Sequence, residues 1–156
     1  MTTTADTRQI VVFALQSNEF GIDIGQVREI DRLVPITRVP RVPAHVEGII
    51  NLRGQLVPIV DLRTRLGMPH AAPTKMARII VAEIGPRSIG MIVDEVREVV
   101  RIPTDQIEQS EGVLEGLANE FIGALARIDE RLIILLDVEK VLGPEAPTVL
   151  TDKESV

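Results

Sequence analysis

Two aspartates are the side chains of this chain whose placement could support catalysis. Asp61 follows the apolar run VPIV and Asp137 follows the similar run IILL. If a duplicated fold brought the two carboxylates together, they could act as the acid–base pair of an aspartic-protease-like hydrolase. Each aspartate, however, precedes a helical pattern that ends in Leu-Gly, and aspartate favours helix N-caps as glycine favours helix C-termini. We therefore predict structural helix caps at Asp61, Gly67, Asp137 and Gly143, and keep a symmetric Asp-based hydrolase as an alternative.

No other group of residues suggests chemistry. His45 and His70 are the only histidines, and neither has a metal-ligand partner three or four residues away, so we expect surface or loop histidines. The chain has no cysteine, which excludes thiolate metal sites and thiol nucleophiles. It has no glycine-rich phosphate loop and no serine in a nucleophile-elbow context. We expect no enzymatic activity, no metal and no cofactor.

The elements that position these residues are duplicated. Residues 10–30 match residues 79–99 at an offset of 69, which aligns Gly21 with Gly90 and Glu29 with Glu98. A second block, residues 57–67, matches residues 133–143 at an offset of 76. We call residues 10–67 copy one and residues 79–143 copy two.

Short apolar runs separated by turn signals predict β-hairpins in both copies. The expected turns lie at 16–19 and 53–54 in copy one, and at 85–88 and 129–130 in copy two. About five strands and one short helix per copy predict two fused SH3-like five-stranded β-barrels. We assign a flexible N-terminus to 1–8, barrel one to about 9–67, barrel two to about 77–143 and a tail to 144–156. Whether the barrels are sequential or intertwined is left open, but units this small are expected to share a core.

Composition argues against several classes of partner. A formal net charge of −6 and the lack of Trp and Tyr are unfavourable for binding nucleic acid, and an oligonucleotide-binding barrel is a third alternative. The N-terminus has no signal-peptide pattern, and the longest apolar run, 132–136, is too short to cross a bilayer. We predict a cytoplasmic protein without direct membrane insertion.

Differences between the copies indicate where function lies. Asn51-Leu52-Arg53-Gly54 aligns with 126–129 at an offset of 75, so Arg53 occurs in one copy only. The simplest interpretation is a hairpin in which Gly54 supplies a positive φ and Arg53 is a solvated tip residue. Glu29 lies on a predicted strand whose two faces both mix apolar and charged residues, which suggests a partner-binding edge. Because Glu98 repeats Glu29, a scaffold role remains the alternative.

Several segments strongly resemble the CheW chemotaxis coupling proteins. They are VREI (27–30), GIINLRG and PIVDLR (48–63), the 78–99 segment and the 121–143 segment, and the resemblance covers about residues 9–143. It implies two SH3-like five-stranded barrels and a non-catalytic adaptor that couples chemoreceptors to the CheA histidine kinase and supports receptor arrays at the membrane. The chain is too short to include CheA's kinase domains. An adaptor in a related pathway, such as twitching or surface motility, is the alternative.

The resemblance also implies partners and contact residues. The partners are the cytoplasmic tip of chemoreceptors and the regulatory domain of CheA, with no nucleic acid. The receptor-binding groove is expected at Val27, Glu29, Ile30 and Arg53, with Val27 and Ile30 as apolar anchors and Glu29 and Arg53 as a charge pair. Kinase-binding residues are expected at Gln55, Leu56, Val57, Leu125, Arg127 and Leu132.

Overall fold

A computed structural model of the chain describes residues 6–109 and 121–142. Within these ranges the chain is mostly β, with strands joined by short turns and two short α-helices. The elements are β1 (Thr7–Leu15), β2 (Asn18–Asp23), β3 (Val27–Arg32), β4 (Val46–Leu52), β5 (Gln55–Asp61), α1 (Leu62–Arg65), β6 (Arg78–Ile84), β7 (Arg87–Val93), β8 (Glu95–Pro103), β9 (Ile107–Gln109), β10 (Ile122–Ile128), β11 (Arg131–Leu136) and α2 (Val138–Leu142). Single 3₁₀ turns follow β2 (Ile24–Gln26) and β8 (Thr104–Gln106).

The strands form two sheets, and each sheet combines strands from both copies. Sheet one has the order β3-β6-β7-β5-β4, and sheet two has the order β8-β1-β2-β11-β10-β9. The β1–β2 hairpin of copy one therefore lies in sheet two, while the β6–β7 hairpin of copy two lies in sheet one. A cut between α1 and β6 would divide both sheets. The predicted class, two SH3-like β-barrels, is confirmed, with the short β9 giving sheet two a sixth strand.

The duplication extends to the register of strand pairing. On the β3–β6 pair, Glu29 lies opposite Val81, and on the β1–β8 pair the equivalent Glu98 lies opposite Val12. Both ladders also shift register beside these pairs, which marks a bulge at the same place in each copy. The repeated VREI and VREV segments are thus equivalent edge strands, each added to the other copy's hairpin.

One core is shared between the sheets, as expected for units this small. The largest cluster of buried side chains combines residues of both sheets and both helices, including Phe13, Leu62, Met91, Leu125 and Val141. Two smaller clusters each draw on one sheet. The apolar side chains are chiefly Ile, Val and Leu, so most of the buried area comes from aliphatic residues.

The helix ends show how the chain leaves each barrel. Asp61 is the N-cap of α1, because its carboxylate accepts a hydrogen bond from the Arg63 amide at 3.1 Å. Gly67 has φ +83° and donates to the Thr64 carbonyl at 3.1 Å, while the next amide reaches the Arg63 carbonyl, a Schellman ending. The Asp137 carboxylate accepts from the Lys140 amide at 3.2 Å. Gly143 lies outside the described residues.

One expectation about the N-terminus is wrong. Thr7 and Arg8 belong to β1 and pair with Pro103 and Ile102 of β8, so the expected flexible segment 1–8 is ordered at its end. An ion pair between Arg8 and Asp23, 3.1 Å apart, adds to this pairing. The helices among the described residues, of four and five residues, are too short to cross a membrane.

Candidate functional site

The β4–β5 turn presents Arg53 at its tip. Arg53 has φ +51° and Gly54 has φ +88°, the two positive values that define a type I′ hairpin turn. The Asn51 side chain closes the turn by accepting a hydrogen bond from the Gly54 amide at 2.7 Å. The expected positive φ at Gly54 is confirmed. Arg53 takes one as well, because the twist of the flanking strands favours turns in which both central residues are left-handed.

The structure brings Glu29 and Arg53 together. The Arg53 guanidinium donates to the Glu29 carboxylate, and the exposed fractions of the two side chains are 64% and 20%. Beside this pair, Arg28 donates to the Gln55 amide oxygen at 2.6 Å and to the Ser88 hydroxyl at 3.1 Å. Because β3 is one edge of sheet one and the β4–β5 turn follows the strand at the other edge, the Glu29–Arg53 contact links the two edges of the sheet.

A second carboxyl group adjoins the ion pair. Asp31 lies two residues beyond Glu29 on the same face of β3. The hydrogen bond with Glu29, together with burial and the negative charge of Glu29, raises the pKa of the Asp31 carboxyl. That hydrogen bond is also the main influence that lowers the pKa of Glu29, with a further contribution from Arg53. Asp31 is therefore the member of the pair that holds a proton more readily, and Glu29 is the member that keeps its negative charge.

The predicted apolar anchors differ in accessibility. Val27 is partly buried and packs against the shared core. Ile30 is 38% exposed on the outer face of β3, and Leu56, at the start of β5, is 46% exposed. Ile30 and Glu29 are neighbours on β3 and point to opposite faces of the strand, so this edge strand offers an apolar contact on one face and the Glu29–Arg53 pair on the other. We call Val27, Glu29, Ile30 and Arg53 the β3 surface.

Two of the predicted kinase contacts are corrected by their burial. The side chains of Val57 and Leu125 face the interior and lie in the hydrophobic clusters, with exposed fractions of 0% and 5%. Neighbouring residues on a strand face opposite sides, and Val57 and Leu125 are the ones that face inward. They cannot contact a partner without disrupting the core. The exposed candidates are Gln55, Leu56, Arg127 and Leu132.

The turn equivalent to Arg53-Gly54 is Asp129-Glu130. The strand pairs Leu52–Gln55 and Ile128–Arg131 flank the two turns, and Asp129 has φ +56°, close to that of Arg53. The structural offset is therefore 76, and the sequence alignment of this hairpin at 75 is wrong by one residue. The two copies carry opposite charges, Arg53 and Asp129, at the same turn position.

Copy two uses a different ion network at the equivalent surface. Arg131 binds Glu98 at 2.7 Å and holds Glu19 through two hydrogen bonds, at 2.9 and 3.0 Å. Arg97 reaches Glu19 at 3.1 Å. The Arg131 hydrogen bond is the largest influence on Glu19 and, with the contribution of Arg97, keeps its pKa below the usual value although burial acts in the opposite direction.

Around β3 the positions equivalent to Arg131 and Glu19 are Gln55 of copy one and Ser88 of copy two, both uncharged. The Glu29–Arg53 pair thus replaces a four-membered network with one half-exposed ion pair. Sequence reasoning missed this contrast because the residues that form each network come from separate strands. The available signal in the sequence was the difference between Glu19 and Ser88, which the offset of 69 aligns.

A separate group of described residues could hold a metal ion. Glu47, Asp61 and His70 lie together beside the N-terminus of α1, away from the β4–β5 turn in sequence. Sequence spacing reveals no metal-ligand partner for His70, because Glu47 and Asp61, its neighbours in the fold, lie more than four residues away along the chain.

The described strands define the class of the protein, which is a two-barrel β protein. Two SH3-like barrels with exchanged hairpins carry ion pairs that differ between the copies and exposed aliphatic side chains, such as Leu56 and Leu132, that both copies share.

Comparison with known proteins gives the family. Residues 9–145 match the CheW-like domain, and the chain belongs to this family. It is 35% identical over 138 residues to the chemotaxis protein CheW of Klebsiella aerogenes, covering 88% of this chain and 83% of that protein. It is 36% identical over 136 residues to a probable chemotaxis protein CheW of Rhizobium etli, covering 87% and 88%. The crystal structure of the scaffolding protein TtCheW from Thermoanaerobacter tengcongensis superposes with a TM-score of 0.85 at 34% identity, covering 93% of this chain and 99% of that one.

Proposed function

We propose that this chain is a non-catalytic adaptor that couples chemoreceptors to the CheA histidine kinase and supports the assembly of receptor arrays. The observation that carries the proposal is the CheW-like match across residues 9–145, supported by the close superposition on a scaffolding protein. In this proposal the chain works in the cytoplasm and is recruited to membrane-associated arrays through its partners.

The receptor is proposed to bind at the β3 surface. Ile30 offers an exposed aliphatic contact, and Val27 extends it toward the core. The Glu29–Arg53 pair lies beside them and leaves most of the Arg53 side chain accessible. An amphipathic receptor helix, with apolar side chains every three or four residues, fits such a surface, since its apolar stripe can cover the anchors while its polar flank meets the charges.

The regulatory domain of CheA is proposed to bind at the exposed positions of the hairpins next to the turns. Leu56 and Leu132 occupy equivalent positions on β5 and β11 and are 46% and 52% exposed. Gln55 and Arg127 lie beside them on the same hairpins. The chain has no Trp or Tyr, the residues that with Arg most often dominate binding energy. Aliphatic contacts of this kind give moderate, exchangeable binding.

Charge reversal at Arg53 tests the receptor site. Arg53→Glu places a second carboxylate beside Glu29 and removes the positive charge from the β3 surface. We expect at least about a tenfold loss of affinity for the receptor tip, which corresponds to about 1.4 kcal/mol, with binding to CheA kept. The binding of each partner is measured separately by titration calorimetry with purified receptor tip and CheA regulatory domain.

Arg127→Glu is the matched control, because Arg127 is also an exposed arginine in an ion pair, 3.0 Å from Glu108. Its reversal should leave receptor affinity unchanged and weaken binding to CheA. Equal loss of both partners in Arg53→Glu, with the fold intact by circular dichroism, would show that Arg53 is a scaffold residue.

A further inference from the structure

A cavity of about 350 Å³ lies next to the N-terminus of α1. It is bounded by β4, by the end of β5 and by the connector, which comprises residues 66–77 between α1 and β6. Apolar side chains of the connector and of β7 form much of its wall. Its charged and titratable wall consists of Arg38, Glu47, Asp61, Arg63, His70 and Asp94.

Three potential metal ligands converge in this cavity. One ligand atom from each of Glu47, Asp61 and His70 lies within 4.8 Å of the other two. His70 Nδ1 is 2.9 Å from the Asp61 carboxylate. The three residues come from β4, β5 and the connector, so the fold and not a local sequence motif brings them together. One imidazole and two carboxylates form a ligand set typical of zinc and related divalent ions.

Helix capping does not account for this group. In copy two, Asp137 caps α2 through the Lys140 amide, and the position equivalent to Glu47 is Gly123. The cap is thus made in copy two with no carboxylate at the position of Glu47. Glu47 therefore has no carboxylate counterpart in copy two, and His70 lies in the connector, outside both copies. Asp61 is the one charged residue that is buried among the described residues, with its side chain 7% exposed.

The neighbouring arginines do not neutralise this group, and a cation would share the Asp61 carboxylate with the Arg63 amide and the Thr64 hydroxyl, from which it already accepts hydrogen bonds. Arg63 is held by two hydrogen bonds to Asp94, at 2.8 and 2.5 Å, so its charge is balanced by a carboxylate outside the ligand set. Arg38 approaches Glu47 only to 4.0 Å, and its side chain is 83% exposed. A long exposed ion pair of this kind contributes little stability and is readily displaced.

We propose that this cavity binds one divalent ion of the zinc class through His70, Glu47 and Asp61, with water in the fourth position. Ligands about 2.0–2.2 Å from a tetrahedral ion lie about 3.5 Å apart. On binding, His70 Nδ1 and the Asp61 oxygen, 2.9 Å apart, must therefore separate slightly to admit the ion between them. His70 is 62% exposed, so its side chain has room to make this adjustment. The bound ion would fasten the connector to β4 and β5, the strands that lead into and out of the Arg53 turn.

The test is titration calorimetry of the purified, untagged chain with Zn²⁺, with the fold followed by circular dichroism. We expect one Zn²⁺ per chain. His70→Asn should weaken binding by at least about tenfold, and Glu47→Gln should weaken it measurably. His45→Asn is the control, because His45 is the other histidine in the chain, and it should bind as the unmodified protein does. Co²⁺ in place of Zn²⁺ should give the visible absorption of a tetrahedral site.

Three results would overturn the proposal. The first is a folded chain that takes up no Zn²⁺ at millimolar concentration, which would leave the Asp61–His70 contact as a hydrogen bond that fixes the connector. The second is equal weakening by His45→Asn and His70→Asn. The third is binding of Mg²⁺ as strong as that of Zn²⁺ and insensitive to His70→Asn, which would indicate attraction to the carboxylates alone.

Discussion

Replacement of Gly21 by alanine should destabilise the protein because side chains of both neighbouring strands pack directly over this glycine and over its equivalent, Gly90. Gly21 lies on β2 and pairs with Leu135 of the parallel strand β11. A Cβ atom added to Gly21 would overlap Ile10 Cγ2 and lie 3.1 Å from Leu135 Cδ2. The γ-methyl of isoleucine is attached to a stiff, β-branched side chain on a central strand, so it cannot move aside freely.

Gly90 should behave in the same way, because it pairs with Ile59 of β5 in the parallel ladder of sheet one. An added Cβ would lie 2.6 Å from Ile59 Cδ1 and 2.8 Å from Ile79 Cγ2. The nearest of these atoms is the far end of a side chain that can change rotamer, so the cost should be equal to or smaller than that at Gly21.

The magnitude follows from the cost of overpacking a buried site. Extra methyl groups in a packed core typically cost about 1–3 kcal/mol. With a urea m-value of about 2 kcal/mol per molar, each Gly→Ala change should lower the unfolding midpoint by about 0.5–1.5 M. The assay is equilibrium urea denaturation followed by far-ultraviolet circular dichroism, with the m-value checked for each variant.

Gly123→Ala is the matched control, since Gly123 also lies within a strand but the nearest atom to its added Cβ, Asp137 Cβ, is at 3.6 Å. That is an ordinary contact, so the variant should keep its stability or gain a few tenths of a kcal/mol from reduced entropy of the unfolded chain. If Gly21→Ala and Gly90→Ala unfold at the same urea concentration as Gly123→Ala, the tight packing of side chains over Gly21 and Gly90 would be refuted.

Two further predictions concern carboxylates. Asp61→Ala should lose about 2 kcal/mol and Asp137→Ala about 1 kcal/mol in urea denaturation, because Asp61 is buried and accepts three hydrogen bonds whereas Asp137 accepts from one described amide; equal losses would contradict this difference. Glu29 raises the pKa of Asp31, so the stability that protonated Asp31 contributes is present below its unfolded pKa and lost as pH rises through its folded pKa. Asp31→Asn mimics the protonated form. Its free energy of unfolding should therefore exceed that of the unmodified protein at about pH 7 and converge with it at about pH 4. A difference in stability that does not change with pH would contradict the coupling to Glu29.

Local features of this fold could be predicted from the sequence because short-range chemistry determines them. The turn at Arg53-Gly54 and the cap at Asp61 depend on residues within a few positions of one another. The duplication was visible because apolar and glycine positions repeat along both copies, including Gly21 and Gly90. These features require no knowledge of which strands are neighbours.

The exchange of hairpins could not be predicted in the same way. Pairing of β1 with β8 and of β3 with β6 joins segments from opposite copies, and an alternating strand pattern is equally compatible with pairing inside one copy. The one-residue error in the alignment of the third hairpin has a related cause, because ladder register is visible only once both strands are paired.

Contacts between distant segments were missed for the same reason. His70 reaches Asp61 from nine residues away through the connector, and Arg131 reaches Glu19 across the parallel β2–β11 pair. The resemblance predicts Val57 and Leu125 on a binding surface, but which face of a strand a residue occupies depends on the register of that strand in the sheet. A single residue of shift moves a side chain from the surface to the core.

The most direct test of the proposed function is the kinase output of a reconstituted complex. CheA autophosphorylation is measured in chemoreceptor membranes with and without the purified chain, and with attractant added. The proposal predicts that the chain raises phosphorylation, that attractant lowers it again, and that Arg53→Glu supports much less of both effects. Kinase output that stays unchanged at saturating concentrations of folded chain would contradict the proposal that this protein couples receptors to CheA.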